Sequence, residues 1–195
     1  GSLLIVFFVG IIDDLVGLSP IKKLIGQIIA VLIIIYLQEL RIDNMYGVLG
    51  IYNLPEFIST LFTIFVVIVI TNSFNLIDGV DGLAGGIGII SSVSFGLIAF
   101  VMNQNDIAMI AFILTGALMG FIRYNLHPAR IFMGDTGSMV AGMILSVLAI
   151  NTIQEGFVTE TLHLPDKGPL IAIVLLALPL FDSLRVFLNR IRKGK

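Results

Sequence analysis

The chain has 195 residues, 57% of them hydrophobic and 12% charged, with a mean hydropathy of +1.07 and a formal net charge of -2. The average residue prefers hydrocarbon to water, which excludes a soluble domain; at roughly 20 apolar residues per helical crossing, about five to seven spans can be built. With no cysteine and two histidines, disulfides, thiol catalysis, a zinc–thiolate centre and a His-rich metal centre within the chain are excluded as well.

Apolar runs recur at 3–12, 24–37, 57–70, 83–102, 107–122, 139–153 and 170–187. They are continuous and rich in Ile, Leu, Gly and Ala, whereas a membrane β-barrel shows short segments of alternating polarity. The predicted fold class is therefore all-α, a polytopic integral membrane protein with about seven transmembrane helices. The first run meets Asp13 too early to span and lacks the basic flank and cleavage site of a signal peptide. The last ends in Arg190, Arg192, Lys193 and Lys195. Residues 1–195 are read as a single transmembrane catalytic domain from the middle of a larger helical bundle. Residues 42–52, with Gly47 and Gly50 between β-formers, predict a short hairpin. Gly85, Gly86, Gly88, Ser91, Ser92, Ser94 and Gly96 in the fourth run predict close helix packing.

If every run crosses once, segments 13–23, 72–82, 123–137 and the tail share one side. Of the eleven Lys and Arg, nine lie there: Lys22, Lys23, Arg123, Arg130, Arg185, Arg190, Arg192, Lys193 and Lys195. Only Arg41 and Lys167 fall opposite, with Glu39, Asp43, Glu56, Asp106, Glu155, Glu160, Asp166 and His163. The bias of cations towards the cytoplasm makes the first side cytoplasmic.

Every Gly- and Asp-rich cluster lies on that side. Asp13-Asp14, followed by Lys22-Lys23, reads either as helix termination by solvated charge or as a divalent-cation ligand or general base beside a phosphate-binding lysine. In the stretch 72–83, Asn72, Asn75, Asp78 and Asp81 recur every third residue, so that on a helix they occupy one half of the surface. Gly79 and Gly82 permit a break there. The third cluster, 125–138, sets Asp135 between Gly134 and Gly137 before a run whose N-terminal N–H groups favour an anion. Arg123 and Arg130 add positive charge. Phe132 either stacks on a base or packs, and His127 is either a loop residue or a ligand. Asp182 and Arg185, three residues apart, predict an ion pair.

Carboxylates, glycine turns and cations on one membrane face suit Mg²⁺ and phosphates, because Mg²⁺ takes one or two carboxylates plus substrate oxygens. An ion-coupled transporter is the rival, but its acids lie near the midplane and recur in two halves. A purely structural membrane subunit leaves the Asp-Gly series without a purpose.

Three motifs carry a resemblance through essentially the whole chain: Asp13-Asp14 with Gly17-Leu18-Ser19 and Lys23-x-x-x-Gln27; Asn72-x-x-Asn75-x-x-Asp78-Gly79-x-Asp81-Gly82-Leu83-Ala84; and Phe132-Met133-Gly134-Asp135-x-Gly137-Ser138. The chain resembles the polyprenyl-phosphate N-acetylhexosamine-1-phosphate transferases. The resemblance implies transfer of a sugar-1-phosphate from a UDP-N-acetylhexosamine to a polyprenyl phosphate, with release of UMP and a need for Mg²⁺, Mn²⁺ being the alternative. It implies Asp135 and Asp14 as metal ligands and Asp13 or Asp14 as the group that readies the lipid phosphate. Lys23 would contact phosphate, Asp78 and Asp81 belong to the catalytic set, and Asn72, Asn75 and Phe132 would hold the nucleotide. The expected setting is the bacterial inner membrane, with the site facing the cytoplasm, cell-envelope glycan synthesis as the process, no nucleic-acid partner and a homodimer left open. The wording of 134–138 and the short far-side loops resemble the N-acetylglucosamine branch more than the muramoyl-pentapeptide branch. The family's His-rich motif is expected beyond Lys195.

Overall fold

A computed structural model of the chain describes residues 1–155, 157–158, 163–164 and 167–193. Its helices are α1 (Ser2–Val16), α2 (Pro20–Gln38), α3 (Glu56–Ile77), α4 (Leu83–Val101), α5 (Asn105–Asn125), α6 (Gly134–Glu155), α7 (Gly168–Leu175) and α8 (Ala177–Arg192). A short antiparallel ladder joins β1 (Phe157–Val158) to β2 (His163–Leu164). The all-α polytopic architecture expected from composition is present. Its count of crossings is not: α2 to α6 are long and apolar enough to cross, and α7 with α8 makes a sixth if the bent pair is one span. Among the described residues the expected seven falls to five or six, because the part of α1 described has 15 residues, about 22 Å at 1.5 Å per residue, against a hydrocarbon core of about 30 Å.

The run 170–187, expected as one crossing, bends by 68° between α7 and α8. Pro179 supplies the reason. It has no N–H for the carbonyl four residues back, Leu175, so the helical ladder fails there. The Ser91 hydroxyl of α4 donates to the Leu175 carbonyl instead, at 2.8 Å. Ser91 thus does more than allow close packing. Ser91→Ala, which leaves that carbonyl without its donor, is expected to destabilise the protein by about 1–3 kcal/mol. Thermal unfolding in detergent checks this against Ser94→Ala, since the exposed Ser94 hydroxyl only donates back to Ile90 of its own helix.

The centre of the bundle is α6, the most buried span, which packs against α1, α3, α4, α5 and α7. One core cluster joins α3, α4, α5, α6 and α7 around Phe74, Phe95 and Leu145; another joins α1, α2, α3 and α6 around Val6, Ile34 and Met143. The small residues of α4 act as expected: a Cβ at Gly88 would stand 2.6 Å from Leu118 Cδ1, and one at Gly96 would stand 2.8 Å from Phe112 Cε1. Only a bare backbone lets α5 come so near.

The expected hairpin is present in reduced form. Asn44 and Asn53 form an antiparallel bridge, the Met45 N–H donates to the Tyr52 carbonyl at 2.8 Å, and Val48–Gly50 is a 3₁₀ turn. Arg41 pairs with Asp43 at 2.7 Å and Glu56 at 3.0 Å. Tyr46 Oη donates to the Gln154 carbonyl at 2.7 Å, and Asn151 Nδ2 donates to Gln104 Oε1 at 2.6 Å. These bonds gather 41–56, 104 and 151–154 at one end of the bundle, while 13–23, 72–82 and 125–138 meet at the other. Glu160, Asp166 and Lys195 lie outside the described residues. The expected Asp182–Arg185 pair forms, at 2.6 Å.

Candidate active site

The site begins where α1 runs into α2. Helix α1 stops because Gly17 takes φ +74°, and α2 starts on Pro20 behind Ser19, a position where the missing N–H removes no helical bond. The tight turn returns Lys23, in the first turn of α2, to Asp13: Lys23 Nζ lies 3.0 Å from Asp13 Oδ2, and Asp13 Oδ1 accepts the Leu18 N–H at 2.6 Å. Lys23 also forms an ion pair with Asp135 Oδ1 of α6. One ammonium therefore bridges a carboxylate of the preceding helix and one 112 residues further along the chain, which only the fold's return to this end brings together.

Asn75, in the last turn of α3, donates to the same Asp135 Oδ1 at 2.7 Å and to Ser138 Oγ at 2.6 Å. One turn earlier, Asn72 and the buried Gln27 exchange amide bonds of 3.2 Å between α3 and α2. A groove of about 460 Å³ runs past Asp13, Lys23, Gln27 and Asn72.

Helix α6 starts on Gly134 at φ +68°, and its first N–H groups have no partners within the helix. The sequence reading leaves those donors open for an anion. The anions that take them are carboxylates of the protein itself. Gly134 N–H goes to Asp78 Oδ2 at 3.1 Å, Asp135 N–H to Asp14 Oδ1 at 2.8 Å, and Thr136 N–H to Asp14 Oδ2 at 3.0 Å. Asp78 follows α3 directly, and its Oδ1 is buried without a partner. Burial pushes its carboxyl above the usual carboxylate range, and the nearby charges of Asp135 and Asp14 push the same way against the Gly134 N–H.

Asp81 stands apart from this group. Its Oδ2 accepts the Ala129 N–H at 3.1 Å and lies 3.0 Å from His127 Nδ1, and these two contacts, the N–H first, hold its carboxyl below the usual range. Asp81 thereby ties the 78–82 turn to the 126–133 loop, which carries Phe132 largely exposed. The buried Asn125 makes a second tie, accepting the Gly82 N–H at 2.9 Å and donating to the Ile131 carbonyl at 2.8 Å. Arg123, His127 and Arg130 line an open basic concavity beside it.

The fold thus brings Asp13, Asp14, Lys23, Asn75, Asp78 and Asp135 into one network, with Asn72 and Asp81 at its edges. A family model described as Glycosyl transferase family 4 matches residues 1–153. The chain belongs to that family. It is 37% identical over 169 residues to the phospho-N-acetylmuramoyl-pentapeptide-transferase of Enterococcus hirae, covering 75% of this chain and 49% of that protein. It is 35% identical over 163 residues to the Streptococcus uberis protein of the same name, covering 78% of this chain and 48% of the relative. The Rubrobacter xylanophilus protein of that name shares 45% identity over 92 residues, 47% of this chain and 26% of its own length. The chain spans about half the length of the first two relatives.

In this family 4 member, the donor chemistry fits a hard cation. Among the described residues no three His, Asp or Glu side chains converge into a closed cage, but Mg²⁺ does not need one when substrate phosphates supply most of its ligands. Asp135 keeps Oδ2 outside the contacts above with 32% of its side chain exposed, and Asp78 Oδ1 is a buried carboxyl oxygen with no partner. Sequence reasoning assigned no role to Gln27, Asn125, Thr136 or Ser138. Polar side chains at helix ends were the available signal, but which backbone group each one meets depends on segments distant in the chain.

Proposed function

We propose that the protein transfers an N-acetylhexosamine-1-phosphate from its UDP-sugar to a polyprenyl phosphate, releasing UMP, at the cytoplasmic face of a bacterial inner membrane as a first step in cell-envelope glycan synthesis. The observation that carries this reading is the bridge of Lys23 between Asp13 and Asp135 at a membrane end, beside a groove open to a second phosphate. An oxygen of the lipid phosphate attacks the sugar-bearing phosphorus, the bond to the UMP oxygen breaks, and the anions must be held together while this happens. Phosphoryl transfer depends mainly on such positioning and neutralisation.

In this reading Lys23 exchanges a carboxylate partner for substrate phosphate, and Asp13 accepts the proton that a monoanionic lipid phosphate carries. Asn75 orients Asp135, while Asn72, Asp78, Asp81 and Phe132 hold the uridine nucleotide. Asp135 is the proposed Mg²⁺ ligand, with Asp78 available beside it; the bound ion would supply Lewis-acid neutralisation of the diphosphate. The cytoplasmic side rests on the nine-to-two distribution of Lys and Arg. For the donor, the motif wording favours N-acetylglucosamine, whereas the names of the relatives favour the muramoyl pentapeptide.

The test is exchange of labelled UMP into each UDP-sugar by the full-length protein with polyprenyl phosphate. Exchange is expected with one donor, lost with EDTA and restored by Mg²⁺. No exchange with either donor would overturn the reading, and the preferred donor decides the branch.

A further inference from the structure

We infer that Asp14 is a positioning residue: its carboxylate caps the first turn of α6 from the neighbouring helix α1 and so sets where Asp135 stands. This role rests on the transferase reading for its catalytic consequence. It also departs from the sequence-based expectation of Asp14 as metal ligand or base.

The residue ahead of α6 is Met133, which offers no side-chain acceptor, so the helix has no N-cap of its own. Asp14 supplies one in trans. Besides the N–H groups of Asp135 and Thr136, it accepts the Thr136 hydroxyl at 2.5 Å. Three donors fill most of the roughly four lone-pair sites of a carboxylate, which leaves little for a metal ion. The positive end of α6 also favours the negative charge.

The surroundings are shaped for this contact. Gly10 lies one turn before Asp14 on the same face of α1, and a Cβ there would stand 2.5 Å from Thr136 Cα, so the two backbones touch only because Gly10 is bare. A Cβ at Gly134 would stand 3.1 Å from both carboxylate oxygens of Asp14. Asp13, rotated by about 100° on the helix, points instead to Lys23 and the Leu18 N–H. The adjacent aspartates therefore divide their work: Asp13 faces the phosphate groove, and Asp14 holds the helix that carries Asp135.

A cap and a metal ligand differ in sign when metal is absent. Removing a ligand carboxylate from a cluster of like charges relieves repulsion and raises stability, whereas removing a cap lowers it. In Asp14→Asn an amide NH₂ replaces one of the two accepting oxygens and the charge is lost, so at least one donor of the first turn of α6 is left without its acceptor. The experiment measures thermal unfolding of the full-length protein in detergent with EDTA, for Asp14→Asn, Thr136→Val and the double variant, and kcat for the same proteins with Mg²⁺. Each single variant is expected to lower Tm by about 2–4 °C, with the double variant no lower than Asp14→Asn. Folded Asp14→Asn is expected to lose about tenfold or more in kcat, as misplaced catalytic groups do, with the donor KM little changed. An unchanged or raised Tm in EDTA, or additive losses in the double variant, would overturn the cap. Full kcat in folded Asp14→Asn would overturn its positioning role. Absence of UMP exchange in the unmodified protein would bring down the transferase reading and the catalytic half of this inference, and is told apart because the thermal coupling of Asp14 to Thr136 persists.

Discussion

Asp135→Asn is expected to lower transfer by about 10²-fold or more while leaving the protein folded, since the loss of a hard anionic ligand removes several kcal/mol of transition-state charge stabilisation. The substitution keeps the shape of the side chain and the N–H groups that Asp14 accepts. It removes the charge that Lys23 pairs with, while the remaining amide oxygen can still accept from Asn75. Asp106→Asn is the control, because Asp106 opens α5 at the opposite end of the bundle and its loss removes the same formal charge. Turnover of labelled donor by matched amounts of folded protein checks the pair. Near-normal Mg²⁺-dependent transfer by Asp135→Asn would end the ligand assignment, and equal losses in both variants would mean a general stability effect.

Lys23→Met is expected to be the most damaging single change to the site's stability. Lys23 and Asp13 have side-chain exposures of 16% and 12%, and Asp135 32%, so two poorly solvated carboxylates would lose their shared cation. Breaking one side of a buried pair costs about 3–5 kcal/mol, and partial solvation of Asp135 places this case at the lower end. The informative comparison is the double variant Lys23→Met with Asp135→Asn. It should unfold at a higher temperature than Lys23→Met alone, because one of the unpaired charges has gone, yet remain inactive. A double variant less stable than Lys23→Met would show that charge compensation is not what Lys23 provides.

Much of this protein is legible in one dimension. The apolar runs determine that the chain forms membrane helices, because twenty or so residues of hydrocarbon-preferring sequence have few other stable states in a bilayer. Alternate crossings and the placement of Lys and Arg separate the ends, and the Asp, Asn and Gly clusters mark the end at which the candidate site assembles. These are local properties, carried by adjacent residues.

Pairing across helices is not local, and the tertiary structure alone decided it. No spacing rule makes Gly10 a contact for Thr136, sends the donor missing at Pro179 to Ser91, or sets Asn125 between Gly82 and Ile131. The run of Asn72, Asn75, Asp78 and Asp81 reads as one helical face, but α3 ends at Ile77, so the last two leave the helix. Asp78 turns to α6, and Asp81 turns to the 126–133 loop. Asp13 and Asp14 are chemically identical neighbours, and a sequence treats them alike. They part company because adjacent positions on a helix diverge by about 100°, which points one at a lysine in the next helix and the other at the bare start of α6, where unpaired N–H groups need an acceptor.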